Sequence, residues 1–81
     1  MSTIIYSKNH CPYCDMAKKL LDEKNITYQE ININLADQPD QVLEEIRKIT
    51  DAKTFPQIIL NDQYIGGYTD LRDFFYNSEK K

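Results

Sequence analysis

The sequence predicts an α/β domain with the element order βαβαββα, and three observations carry that expectation. Short β-branched and aromatic runs alternate with stretches whose apolar residues recur at three- and four-residue steps. Asn61-Asp62 separates two of the apolar runs and suits the left-handed backbone of a tight type I′ hairpin turn. Cys11 and Cys14 stand where the first apolar run gives way to the first helical stretch.

Ile4-Ile5-Tyr6 forms strand 1 and stops at the polar group Ser7-Lys8-Asn9-His10. Pro12 fits the first position of helix 1, and Ala17, Leu20 and Leu21 follow Cys14 on one face out to about Lys24. Asn25 ends that helix, and residues 26–33 form strand 2, with a period of two in their second half. Asp37 and Pro39 open helix 2, whose Val42, Leu43, Ile46 and Ile49 share a face and whose end falls near Thr50-Asp51. Residues 56–60 and 63–65 form strands 3 and 4, Gly66-Gly67 breaks the pattern, and Leu71, Phe74 and Phe75 mark helix 3. A polar, frayed tail is expected from Asn77. The βαβ unit requires a parallel pair with a right-handed crossover, and the hairpin adds antiparallel strands, giving a mixed sheet with helices on both faces.

A chain of 81 residues leaves room for a single domain, 1–81, which must bury its core without help unless something staples it. Two cysteines three positions apart would close too short a loop to serve as that staple. The first residues lack the basic-then-apolar pattern of a signal peptide, so a cytosolic (cytoplasmic) setting is expected. Charged and amide residues interrupt every apolar run, which argues against a membrane span. Ten Lys and Arg against thirteen Asp and Glu give a formal charge of −3, and the largest basic cluster is Lys80-Lys81, so nucleic acid is not an expected partner. Lys18-Lys19 reads as a solvated face.

The cysteines therefore carry chemistry. Cys11 falls beside the unpaired N–H groups and partial positive charge of a helix start, which lower a thiol pKa from about 8.5 to roughly 3.5–7.5. Lys8 and a protonated His10 would add to that field, although a solvated loop histidine is the alternative for His10. Cys14, one turn deeper, is expected to be the more buried and to keep its proton, so Cys11 attacks and Cys14 resolves. The competing reading, that both are small core residues, sets aside the fact that C-x-x-C at a strand-to-helix junction is a redox arrangement. A metal site built on His10, Cys11 and Cys14 lacks a fourth ligand, and no metal is expected.

Cys11-Pro12-Tyr13-Cys14 is similar to the active-site sequence of dithiol glutaredoxins. Thr54-Phe55-Pro56-Gln57-Ile58 and Gly66-Gly67-Tyr68-Thr69-Asp70-Leu71 resemble two further segments of that family, so the likeness runs from about Ile4 to Phe75. It implies a thioredoxin-like fold with strand order 2-1-3-4 and a groove holding glutathione against Cys11. Lys8 would meet the glycine carboxylate, and Tyr13 would wall the sulfur. Phe55-Pro56 looks like the family's cis-proline loop, which pairs with the substrate cysteine, although a trans proline opening a strand is the commoner case. Gly67 would permit close approach, while Thr69 and Asp70 would receive the γ-glutamyl end or simply cap helix 3. Three positions depart from the family pattern: His10 replaces a small hydroxylated residue, Phe55 replaces Val, and Leu43 stands where relatives carry Gln or Arg, with neither Gln41 nor Arg47 a motif-level substitute.

The resemblance implies a monomeric glutathione-disulfide oxidoreductase acting on glutathionylated and disulfide-containing proteins, with glutathione as co-substrate. The sequence leaves two other roles open. One is a redoxin reduced by thioredoxin reductase that feeds ribonucleotide reductase. The other is a dimer holding a [2Fe-2S] cluster through Cys11 and glutathione, a role that Pro12 and Cys14 weigh against.

Overall fold

The computed structural model describes residues 2–79. Its elements follow the expected order: β1 (Ile4–Ser7), α1 (Pro12–Glu23), β2 (Gln29–Asn32), α2 (Pro39–Arg47), β3 (Gln57–Leu60), β4 (Gln63–Gly66) and α3 (Tyr68–Glu79). The strands lie in the order β2-β1-β3-β4. β1 runs parallel to β2 and antiparallel to β3, and β3 runs antiparallel to β4, so the sheet is mixed and the fold thioredoxin-like.

Strand alternation divides the core between two faces. Ile5, Ile58 and Leu60 join Ala17 and Leu21 of α1 and Leu71 of α3 in the main cluster, all of them buried. Tyr6, Gln57 and Ile59 point the other way and meet Ile46 and Ile49 of the α2 side. Helices thus cover both faces, because the central strands β1 and β3 present apolar residues in both directions.

Local chemistry sets most element ends. Asn25 adopts the left-handed conformation (φ 59°), and its N–H and that of Ile26 bond the carbonyls of Asp22 and Leu21 at 3.0 Å each, a Schellman closure of α1. Asn61 (φ 50°) and Asp62 (φ 69°) make the hairpin turn that their residue types announce. The β3–β4 register slips between Ile58 and Ile59, since Ile58 faces Gly66 while Ile59 faces Tyr64. Ile65 is therefore the extra residue of a bulge.

Three elements depart from expectation by more than one residue. β2 covers Gln29–Asn32 rather than 26–33, because its partner β1 has only four residues to pair with and Ile26 is drawn into the closure of α1. α2 stops at Arg47 rather than near Thr50-Asp51, and its end winds into tighter turns in which Ile49 N–H reaches Ile46. α3 continues to Glu79 rather than fraying from Asn77, since each added residue of an established helix gains one backbone bond. The end of the expected tail, Lys80-Lys81, lies outside the described residues. No helix among the described residues is long and apolar enough to cross a membrane.

Candidate functional site

The site starts where β1 ends. Cys11 is the N-cap of α1 in extended conformation (φ −126°, ψ 92°), and Pro12 occupies the first helical position, where a missing N–H costs nothing. The N–H of Asp15 donates to the Cys11 carbonyl at 3.2 Å, and the N–H of Cys14 donates to Cys11 Sγ at 3.2 Å. Sulfur thus takes the place a hydroxyl or carboxylate holds at an ordinary N-cap. Cys11 and Cys14 form a disulfide, with Cα atoms 5.2 Å apart. Cys11 is 7 % exposed and Cys14 1 %, so Cys14 is the deeper sulfur, as its place one turn into the helix implies.

Phe55-Pro56 brings the second wall. Their peptide bond is cis, and the Phe55 carbonyl oxygen lies 3.8 Å from Cys11 Sγ. The next residue, Gln57, is buried with its amide fully engaged: Nε2 donates to the Thr54 carbonyl at 2.8 Å, and Oε1 accepts from the Tyr64 hydroxyl at 2.6 Å. Between this loop and the start of α3 lies an open cleft of about 310 Å³, lined by Tyr13, Thr54, Phe55, Pro56, Gly67, Tyr68 and Thr69. Tyr13 and Tyr68 stack across one side, with centroids 6.1 Å apart and planes at 27°.

The cleft gathers Tyr13, Phe55, Pro56, Gly67 and Thr69 of the residues expected around it. It does not take in Lys8, His10 or Asp70 as lining. Lys8 and His10 are exposed on the loop before Cys11, and the feature His10 shows there is a left-handed backbone (φ 55°). Asp70 turns back on its own helix, Oδ2 accepting the Gly67 N–H at 3.0 Å. The capping reading of Asp70 therefore describes its contact. Arg47 does not face the cleft either, since its guanidinium donates to the carbonyls of Thr50 and Ala52 at 3.3 and 2.7 Å.

Gly67 lines the cleft, while the glycine that the backbone itself requires is its neighbour Gly66. Gly66 has φ 125°, and a Cβ there would overlap the Asp70 carboxylate, whereas a Cβ at Gly67 would make an ordinary 3.6 Å contact with the Pro56 carbonyl. Thr54 and Tyr68 were also missed as lining residues; both sit inside the segments that carried the resemblance, so the signal was present.

Behind Cys14, α1 is tied to the sheet by ions. Ser7 Oγ and Lys18 Nζ both donate to Glu30 Oε2, at 2.7 and 2.9 Å, and Asp15 stands 3.5 Å from the same ammonium. The Lys18 hydrogen bond, followed by that of Ser7, holds the Glu30 carboxyl below its ordinary range, and the Glu30 hydrogen bond in turn raises Lys18. Among the described residues no group of three or more His, Cys, Asp or Glu is placed to hold a metal ion.

A disulfide at a helix start, with the Cys14 sulfur deeper than that of Cys11 and the Phe55 wall of an open cleft alongside, is equipped for thiol–disulfide exchange. Comparison with known proteins agrees. The Glutaredoxin family model matches residues 3–65. Glutaredoxin 1 of Rickettsia prowazekii is 40% identical over 78 residues, covering 96% of this chain and 77% of the relative. The chain spans 42% of the length of the mitochondrial glutaredoxin-2 of Pongo abelii, to which it is 39% identical over 67 residues. Among solved structures, glutaredoxin 1 from Francisella tularensis complexed with cacodylate superposes with TM-score 0.77 at 33% identity, covering 99% of this chain and 98% of that one. A buckwheat glutaredoxin–glutathione complex superposes with TM-score 0.84 at 25% identity, covering 94% of this chain and 69% of that one. The paired cysteines, the sheet order and these matches converge: the chain belongs to the glutaredoxin family, with a dithiol C-x-x-C centre.

Proposed function

We propose that the chain is a glutathione-dependent oxidoreductase that reduces protein–glutathione mixed disulfides and protein disulfides, with Cys11 as nucleophile and Cys14 as resolving thiol. The observation that carries the reading is the cleft of about 310 Å³ running from the Phe55 carbonyl, beside Cys11 Sγ, to the first turn of α3. That volume leaves room for a tripeptide with its sulfur turned toward Cys11. Backbone N–H groups at the start of α3, with the Thr69 hydroxyl, suit the γ-glutamyl carboxylate, and the Asp70 carboxylate suits the ammonium. Tyr13 and Tyr68 supply an apolar flank, and Lys8 supplies a cation from the neighbouring loop. The buckwheat complex, whose fold this chain shares, supports glutathione as the occupant.

In the first route, the Cys11 thiolate attacks the glutathione sulfur of a mixed disulfide; the protein thiolate leaves and takes a proton. A second glutathione thiolate then attacks the glutathione sulfur on Cys11, releasing glutathione disulfide and restoring the Cys11 thiolate. In the second route, Cys11 attacks a protein disulfide and the Cys14 thiolate displaces the substrate, leaving the Cys11–Cys14 disulfide for two glutathiones to reduce. The proposed setting is the cytosol, where glutathione keeps thiols reduced. Turnover by Cys14→Ser tests the scheme. The variant retains reduction of a glutathionylated protein and loses reduction of a protein disulfide, and equal loss of both contradicts the division of roles.

A further inference from the structure

The parallel pairing of β1 with β2 ends where the N–H of Ile33 meets the carbonyl of Ser7 at 2.9 Å. Side chains then continue it. Asn32 Nδ2 donates to Asn9 Oδ1 at 3.1 Å, and the backbone N–H of Asn9 donates to Asn34 Oδ1 at 2.6 Å. Asn34 is itself held in a turn, its N–H bonded to Asn32 Oδ1 at 2.8 Å. The three asparagines thus close a small network around Asn9, two residues before Cys11. Among the described residues, these are the side-chain hydrogen bonds that reach the Lys8–His10 loop.

The network sits just ahead of a sharp change in chain direction. His10 takes φ 55°, which turns the chain out of the strand direction, and Cys11 then enters α1 as its cap. From the helix side, Cys11 is held by its carbonyl bond to Asp15 and by the Cys14 N–H on its sulfur. On the other side, the last fixed point before the left-handed turn is Asn9. In the disulfide form the S–S bond also ties Cys11 to α1; in the dithiol form that tie is gone.

We propose that Asn9, Asn32 and Asn34 are positioning residues for Cys11, a clamp that keeps its sulfur against the Cys14 N–H and beside the Phe55 carbonyl once the disulfide is opened. This rests on the reading of Cys11 as the reacting sulfur. Without the clamp, the dithiol form gains conformational freedom that the closed ring denies to the disulfide form, so the two cysteines lose effective concentration toward each other. The dithiol gains population at the disulfide's expense, and the sulfur spends less time under the Cys14 N–H.

Equilibration with reduced and oxidised dithiothreitol measures the effect without glutathione. The disulfide takes two electrons and two protons from dithiothreitol, giving two protein thiols and the cyclic oxidised reagent. Asn34→Ala is expected to shift that equilibrium about three- to tenfold toward the dithiol, the scale of one exchanged hydrogen bond, and to raise the pH midpoint of Cys11 alkylation. Asn34→Asp keeps the acceptor for the Asn9 N–H and is expected to match wild type in about 0.5 M salt, where its added charge is screened. Asn32→Ala, which removes the donor to Asn9, is expected to repeat the Asn34→Ala shift. A wild-type equilibrium and alkylation midpoint in Asn34→Ala, or an Asn34→Asp protein that behaves like Asn34→Ala, overturns the clamp. Failure of glutathione to reduce the wild-type protein would instead overturn the proposed function, and it would leave the dithiothreitol measurement intact.

Discussion

Helices α1 and α3 begin with the same surplus of unpaired N–H groups on either side of one cleft, and they satisfy it with different atoms. At α1 the acceptor is Cys11 Sγ, which takes the Cys14 N–H and is also bonded to Cys14. At α3 the acceptor is the Asp70 carboxylate, which reaches back from within the helix to the Gly67 N–H. On the proposed reading, the first arrangement gives the capping atom a second occupation, because a thiolate at a helix start is also a nucleophile. The second ties its capping carboxylate back to its own helix through Oδ2. Under the proposed function, one helix start reacts and the other holds.

The largest effect that sharpens this contrast is Cys11→Ser. Serine is a good N-cap, so in urea unfolding the reduced variant should stay within about 0.5 kcal/mol of reduced wild type, while turnover of every disulfide substrate falls to background. Gly66→Ala strikes the other helix: an alanine must adopt φ 125° and push the Asp70 carboxylate aside, an expected loss of about 1–3 kcal/mol in the same measurement. Asp70→Ala should cost about 1 kcal/mol by removing the cap, and Asp70→Asn should recover most of it. If Asp70→Ala leaves stability unchanged, the carboxylate is not the structural cap of α3.

The smallest effect concerns the ion cluster that braces α1 against β2. Because Lys18 and Ser7 hold the folded Glu30 carboxyl below its ordinary value, its contribution is complete above the ordinary carboxylate range and is lost as pH falls through the lowered value. Lys18 behaves oppositely, contributing below its ordinary pKa and losing that contribution as pH rises through its raised value. Partial exposure limits the pair to under about 1 kcal/mol. Glu30→Gln should accordingly flatten the acid limb of stability against pH, and an unchanged slope would remove the cluster from the account.

Much of the fold was legible because its signals are local. Pro12 and Asn25 bracket α1, Asn61-Asp62 make the turn, and Ile5, Ala17, Leu21, Ile58 and Leu71 reach the core through simple periodicity. The length of β2 was not legible, since a parallel strand is only as long as the partner it meets. Gly66 and Gly67 could not be separated by inspection, because the bulge at Ile65 decides which glycine carries the positive φ. The cysteines were legible as a pair by spacing alone. The asparagines around Asn9 were not, for a network that joins Asn9 to Asn32 and Asn34 exists only once β1 and β2 lie side by side.

Gln57 insulates the proline loop from acidity. Exchange at the neighbouring sulfurs turns on where protons reside, yet the strut behind the loop is a carboxamide, a group that neither gains nor loses a proton in water. A glutamate of the same shape would bring a negative oxygen against the Thr54 carbonyl and could become charged or neutral as pH changed. With glutamine, the Phe55-Pro56 wall of the cleft keeps one contour as pH changes.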